Sequence, residues 1–270
     1  MNRVTGGLEG KSILITGGGS GIGRACAAQL AADGAAVTIA GRTATKLTET
    51  VEQVSAGGSI ANGGSIRFIV GDVTREDDVI SMIAEASDGE GKLHACVANA
   101  GGGGMPARYA DQDGDEFRRL LDLNVMGTFY CVKHSLPAML KAGSGSFVAM
   151  SSLAGHITHR FFGGYGVAKA GIEAMMCNAA DEYGAQNIRF NGIRPGFVST
   201  EIMEGIPRDS DVYRSYIENT PMNGVAEPED IGNLTRFLVG PESRWITGQI
   251  INVDGGHSLR RGPDFSSFVG

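Results

Sequence analysis

The stretch that most limits what this chain can fold into lies near its start. Ser12–Thr16 (Ser-Ile-Leu-Ile-Thr) is a short apolar run rich in β-branched residues, the pattern of a strand buried in a parallel sheet. It leads directly into Thr16-Gly17-Gly18-Gly19-Ser20-Gly21-Ile22-Gly23. A helical pattern from Ala25 to Ala32 follows and closes at Asp33-Gly34. In that context a glycine-rich loop binds phosphate: the helix start offers unpaired N–H groups and the positive end of its dipole. The glycines remove side chains that would keep the backbone away from a pyrophosphate.

More of the chain has the same rhythm. Ala36–Ala40, Ile66–Val70, Leu93–Val97, Ser146–Met150, Ile188–Ile193 and the segment from Thr247 to Gly256 read as further strands, with helices at Thr45–Val54, Glu76–Ala86, Glu116–Leu140, Tyr165 to about Tyr183 and from Glu227 onward. Alternation of this kind implies a doubly wound α/β fold with a parallel sheet. At 270 residues the expectation is one domain over 1–270, with a loose arm at 1–10 and an uninformative polar tail at 257–270. The 42 glycines cluster at Gly17–Gly23, Gly101–Gly104 and Gly163–Gly166, so they mark positions rather than low complexity.

A net charge of −7 argues against general affinity for nucleic acid or an anionic membrane. No apolar run reaches membrane-spanning length, and the expected location is cytoplasmic. Cys26, Cys96, Cys131 and Cys177 are scattered through apolar segments without metal-ligand spacing. They are expected to be buried, reduced thiols, and no metal is expected.

Two positions carry candidate chemistry. In a dinucleotide fold a carboxylate at the end of the second strand accepts hydrogen bonds from the adenosine ribose. Gly41 stands there instead, followed by Arg42, which can pair with a 2′-phosphate, with Thr43 and Ser20 near enough to add hydrogen bonds. Tyr165 and Lys169 are one helical turn apart on one face. An ammonium near a phenol favours phenolate and draws its pKa toward the working range. His156 and His159 lie just upstream as candidate substrate contacts, set against the plainer reading of surface polar residues.

The Thr-Gly-x-x-x-Gly-x-Gly spacing, with Ile22 where the commoner fingerprint has glycine, resembles the short-chain dehydrogenase/reductase family. The resemblance extends from Gly10 to about Gly256 and implies a single-domain Rossmann-like sheet in the order 3-2-1-4-5-6-7. It implies a catalytic tetrad of Asn124, Ser152, Tyr165 and Lys169; Ser152 lies thirteen residues before Tyr165, the family's spacing. It implies cofactor contacts from Gly17, Gly19, Ser20, Gly21, Ile22 and Gly23; from Arg42 and Thr43; from Asp72 and Val73; from Asn99, Ala100 and Gly101; from Tyr165 and Lys169; and from Pro195, Gly196, Val198 and Thr200. NADP(H) is the expected cofactor, with NAD(H) the alternative. The segment at about 201–224 corresponds to the family's variable lid, and Phe161, Phe162 and Met203 are expected to meet a small carbonyl or alcohol substrate. A homotetramer is the family's habit. The implied activity interconverts a ketone or aldehyde and an alcohol. The rivals are enoyl reduction, dehydration or epimerisation on the same scaffold, and a non-enzymatic NADP-binding regulator.

Overall fold

Seven strands form one parallel sheet: β1 (Ser12–Thr16), β2 (Ala36–Gly41), β3 (Ser65–Val70), β4 (Ala95–Ala98), β5 (Gly145–Met150), β6 (Ile188–Pro195) and β7 (Ile250–Val253). Their spatial order is β3-β2-β1-β4-β5-β6-β7, as the family resemblance implies. The structure is a computed structural model describing residues 7–56, 60, 63–260 and 265–269. The helices are α1 (Gly21–Ala32), α2 (Ala44–Ala56), α3 (Glu76–Ala86), α4 (Gly114–Leu121), α5 (Gly127–Ala142), α6 (Gly163–Tyr183), α7 (Glu201–Glu204), α8 (Asp211–Asn219) and α9 (Pro228–Val239).

The period of two along each strand divides the core between the sheet's faces. Leu14, Cys96, Phe147 and Phe190 pack with Val79, Met82, Met139, Ile172 and Met176 from α3, α5 and α6. Ile13, Ile15, Ile39, Val97, Val148 and Ile193 pack on the other face with Cys26, Leu30, Leu47 and Leu238 from α1, α2 and α9. Both faces of the central strands are thus covered, which is why they read as continuous apolar runs. All backbone carbonyl ends of the parallel strands fall on one edge, where such sheets bind ligands.

Several expectations change. The helix read over Glu116–Leu140 is interrupted by a π-helical turn, Asp122–Met126, between α4 and α5. Asn124 sits within it, and its amide Nδ2 donates to the Leu120 carbonyl at 2.9 Å. An α-helix would give that acceptor to its own backbone N–H, so the side chain competes with the ladder and widens the turn. Residues 1–6 of the arm lie outside the described residues, but Leu8 is no loose-arm residue. It is 2% exposed, and its N–H donates to the Asp33 carbonyl. Cys26, Cys96 and Cys131 are buried as expected; Cys177 is exposed, because its place on α6 turns away from the sheet. Burial pushes the Cys26 thiol up to about 12, leaving it an inert apolar group.

The tail also differs. Residues 261–264 and 270 lie outside the described residues, but His257 is fully buried and Phe265 is 6% exposed. Phe265 joins Phe197, Val212 and Tyr216 in a third apolar cluster, with Phe161, Phe162 and Met203 against it. Among the described residues, no helix is long and apolar enough to cross a membrane.

Candidate active site

The glycine turn is pinned to the end of β4. Thr16 Oγ1 accepts from the N–H groups of Asn99 and Ala100, and Asn99 Nδ2 donates to the carbonyls of Thr16 at 3.0 Å and Gly17 at 3.1 Å. Two of the glycines have a direct physical reason. Gly17 sits at φ +66, in the left-handed region, and a Cβ on Gly23 would fall 2.2 Å from the Gly17 carbonyl oxygen. Ser20 occupies the N-cap of α1 without capping it through its side chain. The first-turn N–H groups are therefore left for an anionic ligand.

A cleft of about 490 Å³ runs along the carboxyl edge of the sheet. It is lined by the loop residues 17 and 19–23, by Arg42 and Thr43, by Asp72 and Val73, by residues 99–101, by Ser152, Tyr165 and Lys169, and by Pro195, Gly196, Val198, Thr200 and Met203. The cofactor residues implied by the sequence thus come together from five strand ends. The shape suits an elongated dinucleotide: a side-chain-free cradle over a helix start at one end, and Tyr165 with Ser152 at the other. Beside the cradle Arg42 is largely exposed, with Nη1 4.0 Å from an Asp72 carboxylate oxygen. Asp72 Oδ1 accepts from Thr74 N and Oγ1, which fixes the carboxylate at the rim.

Lys46, also in this cleft, was not anticipated from the sequence. It follows Arg42 by four residues and pairs with Glu201 across the opening at 2.5 Å. A lysine in the first turn of a helix that begins beside a phosphate loop was the available signal.

At the other end, Tyr165 and Ser152 are hydrogen-bonded, and that bond draws the phenol pKa down. Burial is the larger effect and leaves Tyr165 above its usual value. Lys169 is 4% exposed, and desolvation holds its ammonium down to about 8. Its Nζ donates to the Met150 carbonyl at 2.8 Å and lies 5.6 Å from the Tyr165 ring centroid. The lysine therefore does not hydrogen-bond the phenol here, contrary to the simplest picture of the pair. Ser152 Oγ also accepts from Ala154 N–H at 3.2 Å, which orients the hydroxyl.

Asn124 is fully buried and does not line the cleft. Its amide spans Gly102, with Oδ1 accepting from Gly102 N–H at 3.2 Å and Nδ2 donating to the Gly102 carbonyl at 3.0 Å. A Cβ on Gly101 would lie 2.6 Å from Asn124 Oδ1 and 3.1 Å from Lys169 Nζ, so Asn124 and Lys169 approach each other across that glycine.

The substrate-side expectations divide. Phe161 and Phe162 line a smaller chamber of about 170 Å³, with Phe117, Leu120 and Tyr165. His156 is exposed and lines neither space, because it ends the 3-10 turn Leu153–Gly155 with its side chain outward. His159 is half-buried rather than a free surface residue. Its ring packs against Tyr216 and Phe265 at centroid distances of 6.4 and 6.3 Å, and its Nδ1 faces the Ile157 carbonyl at 3.1 Å. Burial pushes it down to about 4; the Ile157 bond opposes this, and His257 adds to it. Phe265 packs at a tilt against Phe162, with ring centroids 4.6 Å apart. Two phenylalanines in an otherwise polar tail were the sequence signal for this return.

Comparison with known proteins agrees with this fold. A family model described as enoyl-(acyl carrier protein) reductase matches residues 17–258. The 7alpha-hydroxysteroid dehydrogenase of Clostridium sardiniense is 31% identical over 264 residues, covering 97% of this chain and 98% of that protein. A short-chain type dehydrogenase/reductase structure from Mycobacterium ulcerans superposes with a TM-score of 0.92 at 43% identity, covering 96% of this chain and 94% of that one. A 7 alpha-hydroxysteroid dehydrogenase solved with NADH and 7-oxo glycochenodeoxycholic acid superposes with a TM-score of 0.85 at 32% identity, covering 92% and 94%.

Proposed function

The chain belongs to the short-chain dehydrogenase/reductase family, and from that premise we propose that it is an NADP(H)-dependent oxidoreductase in which Tyr165 is the acid–base group. As a member of that family it is an oxidoreductase acting on CH–OH groups. The observation that carries the finer reading is the meeting of Ser152, Tyr165 and Lys169 at one end of a cleft whose other end is a side-chain-free phosphate cradle.

In the direction of reduction, the Ser152 hydroxyl donates to the carbonyl oxygen as negative charge grows there. The Tyr165 phenol lies on the same hydrogen-bonded pair and delivers its proton to that oxygen. NADP(H), held by the 17–23 loop, Arg42 and the 195–200 turn, supplies or takes up the hydride when bound. Lys169 carries its ammonium into a buried position beside the phenol, which favours phenolate in the oxidative direction. Asn124 braces Gly102 and the widened turn beside Lys169.

Preference for NADP is supported by Gly41, which leaves no carboxylate at the end of β2, and by the exposed Arg42 guanidinium beside it, which can pair with a 2′-phosphate. The Phe-lined chamber beside Tyr165 favours a substrate with an apolar body next to its carbonyl. The protein acts as a homo-oligomer, a tetramer by family habit, which light scattering reads directly.

The test is a panel of ketones, aldehydes and enoyl thioesters followed by NADPH absorbance and repeated with NADH. Carbonyl-dependent oxidation of NADPH, abolished in Tyr165→Phe with NADPH binding retained, is the expected result. Full turnover in Tyr165→Phe removes the mechanism. Oxidation with the enoyl thioesters alone moves the activity to double-bond reduction, and cofactor binding without any turnover moves it to a regulatory role.

A further inference from the structure

A largely buried charged cluster that takes no part in the proposed chemistry joins the segments that carry it. Glu173 lies one turn beyond Lys169 on α6. Its Oε1 accepts from Ser151 Oγ–H at 2.7 Å and from Arg194 Nε–H at 2.6 Å, and its Oε2 accepts from Arg194 Nη2–H at 2.6 Å. The Ser151 hydroxyl also lies 3.3 Å from the Lys169 carbonyl. Arg194 Nη1–H reaches Asn252 Oδ1 at 3.3 Å. The Glu173 and Arg194 side chains are only 12% and 15% exposed.

Each member sits beside a residue of the proposed site. Ser151 precedes Ser152 at the end of β5; Glu173 follows Lys169 on the Tyr165 helix; Arg194 precedes Pro195-Gly196 at the end of β6. The turn behind Ser152 presses on the same carboxylate: a Cβ on Gly155 would fall 2.8 Å from Glu173 Oε1 and 3.0 Å from Ser151 Oγ. A two-pronged Arg–carboxylate contact fixes direction as well as distance, and here it links strand ends to a helix rather than loops to one another.

Stability is a poor reason for such a pair. Burying two charges costs desolvation that their attraction only roughly offsets, and well-packed apolar replacements are often neutral or stabilising. Registration is the better reason, since the proton donor is on α6 and its hydroxyl partner is on the turn that follows β5.

We propose that the Glu173–Arg194 pair, acting through Ser151, is a positioning device. It sets the separation between the Ser152 hydroxyl and the Tyr165–Lys169 face, and thereby governs the turnover number rather than cofactor affinity or fold stability. The proposal rests on the carbonyl-reducing role of Tyr165 and Ser152 given above.

The test uses the full-length protein, NADPH, and the most active carbonyl compound of the panel, with cyclohexanone and acetophenone included. Cofactor affinity is read by NADPH fluorescence and folding by thermal midpoint. In Glu173→Gln a displacement of the order of 1 Å is expected to lower kcat by roughly 10- to 100-fold, with NADPH affinity held within about twofold. Arg194→Lys keeps the charge but loses the fork, and it should not restore kcat. The double replacement Glu173→Met with Arg194→Met separates the two roles: a wild-type thermal midpoint with kcat still depressed supports positioning. Recovery of kcat together with the midpoint overturns it.

If that double variant fails to fold, Ser151→Ala decides. This change leaves the ion pair intact and removes its link to the segment that follows β5, together with the hydroxyl's 3.3 Å contact to the Lys169 carbonyl. A native midpoint with a depressed kcat supports the proposal, and an unchanged kcat overturns it. Wild-type protein inactive on every carbonyl compound refutes the functional reading and this proposal with it. Wild-type turnover with undiminished variants refutes this proposal alone.

Discussion

Lowering the pH should loosen the substrate side of the site before it disturbs the cofactor side, and His159 is the reason. Its ring lies between Tyr216 and Phe265 and is held down to about 4 from an ordinary 6.5. The folded-state pKa is therefore depressed. Between roughly pH 4 and 6.5 the unfolded chain binds the proton and the folded chain resists it. The native contribution is complete above about 6.5 and is lost as pH falls toward 4. At ~1.4 kcal/mol per unit the full shift would be worth roughly 3 kcal/mol. The ring keeps part of its surface in solvent, so about 2 kcal/mol is the better figure after screening.

Replacing His159 with Phe supplies a ring without a titrating group. It gives up the bond to the Ile157 carbonyl, a loss of about 1 kcal/mol that does not vary with pH. Urea unfolding at a series of pH values from 7 to 4 should show the wild type losing about 2 kcal/mol more than the variant, because the carboxylates common to both cancel. The wild-type KM for the carbonyl substrate should rise over the same window while NADPH affinity follows the variant's. Parallel stability curves for the two proteins would refute the reasoning.

Three further outcomes follow from single contacts. Gly23→Ala places a methyl 2.2 Å from the Gly17 carbonyl, so cofactor binding should be lost while far-UV circular dichroism stays native. Arg42→Ala should weaken NADPH binding by roughly 10- to 100-fold, the worth of a charge-assisted contact, and leave NADH binding unchanged; equal loss for both cofactors would refute the 2′-phosphate role. Asp33→Ala removes one of the two carboxylates that hold Arg236, the other being Glu242, and the Arg236 Nη2 is already buried without a partner among the described residues. With Glu242 still in place, losing that inner partner should cost about 2 kcal/mol in denaturant unfolding, with kcat intact.

Much of this was legible from residues alone, for a physical reason in each case. A strand buried on both faces must be apolar throughout, so β1, β2, β4 and β5 stand out without a partner in view. A loop whose backbone must approach both an anion and its own helix can carry little but glycine, so 17–23 is visible as text. A helix repeats every turn, which puts Tyr165 and Lys169 on one side from the sequence alone.

Tertiary structure decided what depends on contacts between distant segments. The π-helical turn at Asn124 follows from an amide finding acceptors on both Leu120 and Gly102, the second twenty-two residues away. His159 reads as a polar loop residue until Tyr216 and Phe265 close around it. Phe265 itself reads as tail until Phe162 lies under it. Ser151 differs from Ser152 by one residue in sequence; only the opposite directions of neighbouring side chains on an extended strand send one hydroxyl to Tyr165 and the other to Glu173. Local pattern determined which elements form and where the anion is held. The closure of the substrate side belongs to packing, because those groups meet only after the sheet has brought their segments to one edge.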